Sequence, residues 1–155
     1  MAELKTCITC KLGLDKSKFP DTRNICTRCK NSQKEARCSK DYVRYLKVLY
    51  TNSKSKAASG QRSHIREFSI THEDLVNMWD SQQGRCAISG VFLTHHRDGS
   101  GAKDYNASID RVSNSQGYTP NNIQLVCYRA NLLKHTLTED MFYWWIKTIH
   151  DFSCD

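Results

Sequence analysis

The sequence predicts a mixed α+β fold, and three observations lead to it. Two Cys-x-x-Cys pairs, Cys7/Cys10 and Cys26/Cys29, stand near the start of the 155-residue chain. Between Gln33 and about Asn52, apolar residues recur at helical spacing beneath a Lys/Arg-rich face. From Ala107 onward the pattern reads strand, loop, strand, helix, with an aromatic-rich helix after it. The expected organisation is a Cys-rich knuckle module over residues 1–32, a basic helix and linker over 33–70, and an α+β unit over 71–155.

Composition limits the function classes. The length suits one ordinary domain, or two small ones sharing a core. An apolar share of 39% is modest, so a small fold needs extra fastening, which eight cysteines could supply. No apolar run nears the roughly 18 residues that span a bilayer, and Met1 to Lys5 lacks a signal-peptide core. The expectation is a soluble intracellular protein of a bacterial cytoplasm, nucleoid or nuclear compartment, with no membrane partner. In a reducing compartment, cysteines read as metal ligands or core thiols before disulfides. The net charge of +7 is uneven: 16 Lys/Arg face 6 Asp/Glu up to Ile70, and 7 face 10 after it. A basic half beside a carboxylate-bearing half suits a polyanion-binding module joined to a site that uses carboxylates, or simply a solvated basic surface.

Taken in order, the first element carries the two cysteine pairs, 15 residues apart. A two-residue gap lets both thiolates of a knuckle face one point, and two knuckles close a tetrahedral Zn²⁺ site. Four protein ligands leave no open position, so this one zinc is expected to be structural. Lys11, Arg23, Arg28 and Lys30 accompany the knuckles as candidate DNA contacts, unless the ribbon contacts protein; Cys38 and Cys154 are read as bystanders. In the linker helix, Tyr42, Leu46 and Leu49 form the apolar stripe. Thr51 to Gly60 reads as helix fraying into a mobile basic loop, and Lys54, Lys56, Arg62 and Arg66 are further candidate phosphate contacts.

Thr71-x-x-Asp74 has the form of a capping box for a helix bearing Leu75, Val76, Met78 and Trp79, ended by Gly84. A strand is expected around Cys86 to Leu93, then a polar loop from His95 to Tyr105, a strand over Ala107 to Val112, and turns from Ser113 to Pro120. A strand over Ile123 to Val126 and a helix from about Tyr128 to His135 follow. Thr136-x-x-Glu139 is read as the cap of the last helix. Its Phe142, Trp144, Trp145, Ile146 and Ile149 are read as core rather than a base-stacking platform, because no basic residues are interleaved.

Asp110 closes the first of these strands and Asn131 opens the helix, two hard oxygen donors of the kind Mg²⁺ takes in ones or twos from protein. A turn carboxylate and a capping Asn would explain both without metal. Asp110-Arg111, Asn122 and Cys127-Tyr-Arg-Ala-Asn131-Leu-Leu-Lys134 resemble the pattern of the HNH, or ββα-metal, nuclease family across the segment from Cys86 to His135. The resemblance implies Mg²⁺- or Mn²⁺-dependent hydrolysis of phosphodiesters in double-stranded DNA, site-selective as in restriction, homing or viral DNA processing. It implies that Asp110 and Asn131 bind the metal beside the scissile phosphate, where the metal stabilises the transition state and the departing 3′ oxygen, and it leaves a homodimer open.

Where most of the family places a His base, this chain has Arg111, which stays protonated and can only clamp phosphate. A subset of the family, which includes a rare-cutting restriction endonuclease, has Asp-Arg followed by Gly-Tyr-Ser-Pro-x-Asn, similar to Gly117-Tyr118-Thr-Pro-Asn-Asn122. The resemblance makes Tyr118 the candidate base and Asn122 the residue orienting the loop or the base. A phenol ordinarily ionises at about pH 10, so the metal or Arg111 has to favour the phenolate; a packed turn tyrosine is the plainer reading. Lys134 is a further candidate DNA contact. Many members hold a second zinc here with two Cys-x-x-Cys pairs. Cys86-Ala-Ile-Ser89 and Cys127-Tyr-Arg-Ala130 keep one Cys each, so both are expected to be core thiols unless a loop histidine completes a site. His95 and His96 are read as a solvated pair, of which at most one reaches the site, and His135 could face phosphate. The rival readings are a non-catalytic zinc-ribbon DNA-binding or regulatory protein with a decayed core, and a packaging nucleoprotein.

Overall fold

A computed structural model describes residues 3–20, 22–59, 67–96 and 103–154 of the chain. Strands β1 (Leu4–Thr6) and β2 (Gly13–Asp15) form an antiparallel hairpin that brings Cys7 and Cys10 into the turn between them. The turn is tight: Lys11 adopts φ 61° and donates its N–H to the Cys7 carbonyl. Helix α1 (Thr27–Lys40) begins with Cys26 as its N-cap and carries Cys29 in its first turn. The hairpin and this helix end meet around a small core of Cys7, Phe19 and Cys26, with Leu14 against it.

The expected single helix from Gln33 to Asn52 is two helices, α1 and α2 (Tyr42–Ala58), broken at Asp41. Asp41 is extended (φ −145°), and its carboxylate accepts the N–H groups of Val43 and Arg44. A short acidic side chain gains more by capping than by sitting in a helix interior. The fraying expected from Thr51 is absent up to Ala58: α2 continues, its Ala and Lys residues are strong helix formers, and the Thr51 hydroxyl bonds back to the Lys47 carbonyl at 2.8 Å.

Helix α3 (His72–Ser81) starts with the capping box Thr71/Asp74, both reciprocal bonds being made. Cys86 to Leu93 is not a strand. It is a turn closed by the Cys86 N–H to the Val91 carbonyl and an isolated Arg85–Phe92 bridge, with Gly90 at φ 70° supplying the reversal. Strands β3 (Ala107–Arg111) and β4 (Ile123–Cys127) pair antiparallel with Asp110 opposite Gln124, and α4 (Tyr128–Lys134) follows β4 without a loop. The last helix, α5 (Glu139–Ser153), is capped by Thr138, whose hydroxyl accepts from Met141 N. Thr136 is not the cap, because the chain is still turning there, with Leu137 N–H on the Lys134 carbonyl.

The main core lies where α2 and α3 pack on β3, β4 and α4, around Leu46, Leu75, Leu125 and Val126, all fully buried. Burying a Leu side chain stabilises by roughly 1.5–3 kcal/mol. The Tyr45 hydroxyl pins α2 to β3 by donating to the Ala107 carbonyl at 2.9 Å. The mixed α+β class, with its knuckle module, helical linker, ββα unit and closing helix, is therefore as expected. The aromatics of α5 are not core: only Phe142 is buried, while Trp144, Trp145, Ile146 and Ile149 are exposed. Among the described residues no helix is long and apolar enough to cross a membrane.

Candidate metal centre and active-site cleft

The four sulfurs of Cys7, Cys10, Cys26 and Cys29 lie within 4.8 Å of one another. A tetrahedron with Zn–S bonds of about 2.3 Å spaces its sulfurs by about 3.8 Å, so the cluster is compatible with structural zinc. Its protonation is unequal. N–H groups of Cys26 and then Cys10 hold the Cys7 thiol down to about 6. The Cys29 thiol, hydrogen-bonded first to the Cys26 sulfur and also buried, is pushed up to about 12. Such a sulfur cluster resists a full set of negative charges until a cation neutralises it.

The ββα unit and α2 enclose a cleft of about 650 Å³. Asp110, Arg111, Tyr118, Asn131 and His135 line one wall, and Asn52, Ser53 and Lys56 of α2 the other. Asp110 reaches it because it ends β3, one register step from the strand's last residue. Its carboxylate is 4% exposed and accepts three hydrogen bonds. Lys134 Nζ donates to Oδ1 at 3.1 Å and Oδ2 at 2.9 Å, and Gln124 Nε2 donates to Oδ2 at 3.0 Å. Gln124 also donates to the Glu139 carboxylate at the start of α5. Lys134 itself is completely buried and makes its third bond to the Arg111 carbonyl at 2.8 Å. In this arrangement its ammonium points into the protein, so it offers no contact to a DNA surface.

Asn131 does not open α4 as expected: Cys127 is the N-cap, and Asn131 is the middle residue of the helix. Its amide nitrogen donates to Ser108 Oγ at 2.6 Å and, at 3.4 Å, to the Ile109 carbonyl. A carbonyl can only accept, which fixes the amide orientation and makes Oδ1 the atom that could bind a cation. Arg111 is steadied by the turn after β3, its Nη1 donating to the carbonyls of Asn114 and Gln116, and its guanidinium stands 5.6 Å from the Tyr118 ring centroid.

Tyr118 is 4% exposed, its ring tilted against Phe68 at 5.6 Å. Its backbone bridges to the 67–69 segment through Tyr118 N–H to Glu67 O and Ser69 N–H to Tyr118 O. Gly117 permits that approach, since a Cβ there would lie 2.2 Å from the Glu67 carbonyl oxygen. Asn122 is buried and holds the same turn: Oδ1 accepts from Ser113 N, and Nδ2 donates to the carbonyls of Ser113 and Gly117. It orients the loop and makes no bond to the Tyr118 hydroxyl.

The remaining candidates divide by location. Lys11, Arg23, Arg28 and Lys30 are exposed on the knuckle module, where Arg23 and Lys30 share a hollow of about 270 Å³ with Lys34 and Arg37. Lys56 borders the cleft, and Lys54 lies against Tyr50 one turn away. Arg62 and Arg66 lie outside the described residues. His95 and His96 are not a solvated pair: His95 packs near Tyr45 and Trp79 and hydrogen-bonds the Cys38 carbonyl, and neither lines the cleft. Cys86 and Cys127 join no metal-ligating group of three among the described residues; Ser89 Oγ lies 3.9 Å from the Cys127 sulfur. Sequence reasoning missed Ser108, which the period of β3 could have placed on the face of Asp110, as well as Gln124 and Asn52.

No family model matches the chain, and no curated protein matches it. Among solved structures, that of the rare-cutting HNH restriction endonuclease PacI aligns over 94% of this chain and 92% of its own, at 17% identity and a TM-score of 0.41. A superposition this loose leaves the site to be judged on its own residues.

Proposed function

We propose that the chain is a divalent-metal-dependent endonuclease acting on double-stranded DNA, with residues 71–155 as the hydrolytic unit, 1–32 as a zinc-fastened DNA-positioning module and 33–70 as the basic helix between them. One observation carries the reading: a carboxylate, a carboxamide, a guanidinium, a phenol and an imidazole line one open cleft whose opposite wall bears Lys56. Asp110 and Asn131 would hold Mg²⁺ or Mn²⁺, since a carboxylate has about four lone-pair positions and Lys134 with Gln124 occupy three. Bound there, the cation would supply Lewis-acid stabilisation of charge on the phosphate and the leaving oxygen.

The chain's own groups do the rest. Lys134 and Gln124 fix the plane of the Asp110 carboxylate. Arg111 holds a phosphate oxygen, and Tyr118 beside it is the group that takes a proton from water. His135, exposed at the same cleft, is the other group that could accept that proton. Lys54, Lys56 and the knuckle cations Lys11, Arg23, Arg28 and Lys30 bind the backbone, so affinity falls steeply with salt. The cleavage would be site-selective, of the restriction, homing or viral-processing kind.

A second reading has its own support. Lys134 already neutralises Asp110 inside the protein, as expected of a DNA-binding protein that no longer cuts. Incubation with supercoiled plasmid separates the two. The nuclease nicks or linearises it with Mg²⁺ or Mn²⁺, and Asn131→Ala abolishes cleavage while retaining DNA affinity. DNA binding without cleavage under either metal would establish the second reading.

A further inference from the structure

Helix α5 leaves the body of the protein after its first turn. Phe142 is 6% exposed and closes onto the fold, and Tyr143 reaches the Ile88 carbonyl. Beyond them, Trp145 is 45% exposed, Ile146 47%, Ile149 58% and Phe152 85%. Helical spacing gathers these four onto one stripe. The charged residues of this stretch lie elsewhere and are matched within the chain: Lys147 bonds Asp151 one turn on at 2.6 Å. A lone helix keeps such a face in water only at the cost of its apolar hydration.

We propose that this stripe is the seam of a homodimer in which two α5 helices pack antiparallel about a two-fold axis at Ile149. The stripe is self-complementary under that operation. Ile146 and Phe152 lie three residues on either side of Ile149, so each meets the other across the axis, and Trp145 opposes the small Ser153. The area also suffices. At roughly 150–250 Å² for a large side chain, the exposed fractions of the stripe with Met141 amount to about 550 Å² per chain. Two copies would then remove about 1,100 Å², just above the roughly 1,000 Å² that a biological interface should clear. An uncharged seam of this kind is the composition of homodimer interfaces rather than of transient polar ones. The helix that pairs is also joined to the cleft, because Glu139 in its first turn holds Gln124, which holds Asp110.

The dimer does not depend on the endonuclease reading, and its test does not use cleavage. Sedimentation velocity of the full chain with zinc should give twice the 17.9 kDa of one chain at micromolar concentration. The double substitution Ile149→Glu with Phe152→Glu, at two exposed positions, should give a monomer with unchanged zinc content and circular dichroism. Should that variant misfold, Ile149→Cys in a Cys154→Ser background provides the second arm: a residue on the axis forms a symmetric disulfide under mild oxidation, whereas Thr148→Cys does not. A wild-type chain that is monomeric throughout, a dimer that survives both substitutions, or a monomer that instead binds anionic vesicles through α5 would each overturn the proposal.

Discussion

Replacing Lys134 with alanine tests how the cleft is built. The ammonium is 0% exposed and the carboxylate it faces 4%, so solvent cannot screen either charge. Truncation leaves Asp110 with Gln124 as its donor among the described residues and also removes the Lys134 bond to the Arg111 carbonyl. Removing one member of a buried pair costs about 3–5 kcal/mol, against about 0–1 kcal/mol for an exposed pair such as Arg129–Asp104. With a total stability of about 5–15 kcal/mol, the variant should stand near the edge of folding. Urea denaturation at fixed zinc measures the loss as a drop in midpoint at unchanged slope. If Asp110 is also the metal ligand, Mg²⁺ should restore part of it. A ligand at a hundred times its dissociation constant contributes about 2.7 kcal/mol, and the variant's bare carboxylate should bind the cation more tightly than the wild type's. A loss below about 1 kcal/mol would refute the buried-pair account, and equal Mg²⁺ stabilisation of both proteins would refute Asp110 as a shared ligand.

Gly117→Ala should destabilise by about 1–3 kcal/mol, because the new methyl meets a backbone carbonyl that the Tyr118 bridge holds in place; thermal unfolding checks it. Stripping zinc with a strong chelator, or Cys26→Ser, should unfold the knuckle module while near-native tyrosine and tryptophan packing persists around Leu46 and Leu125, since the two cores are separate; hydrogen exchange resolved by residue checks it. Tyr118→Phe should lower cleavage at least a hundredfold at unchanged DNA affinity. Near-normal turnover would move the proton-accepting role to His135, which His135→Ala then tests.

What could be read from the chain was local. The two Cys-x-x-Cys pairs report their own geometry, and Thr71 with Asp74 reports its own cap. Asp110 stands at the strand end that its flanking pattern predicts, whereas Asn131 does not open α4 but sits at its middle, the helix starting at Tyr128 after Cys127 as N-cap. What could not be read is set by tertiary neighbours. Lys134 looks like any cation near a helix end until α4 folds against the end of β3 and turns it onto Asp110. Thr136 has the capping-box spacing to Glu139 in sequence, yet the turn at Leu137 makes Thr138 the cap. Periodicity marks α5 as amphipathic but does not say whether its own chain covers the stripe. Asp41 lay inside a convincing helical pattern, and the chain's change of direction there made it a cap.

In the proposed nuclease, Asp110 and Asn131 serve one metal beside a phosphate. Supercoiled plasmid incubated with the wild-type chain and titrated with Mn²⁺ and Mg²⁺, with cleavage ends mapped by run-off sequencing, tests it most directly. Metal-dependent breaks ending in a 3′ hydroxyl at a restricted set of sites are expected, lost on Asn131→Ala with DNA affinity intact. Undiminished cleavage by Asn131→Ala, or intact plasmid at every metal concentration despite tight DNA binding, would contradict it.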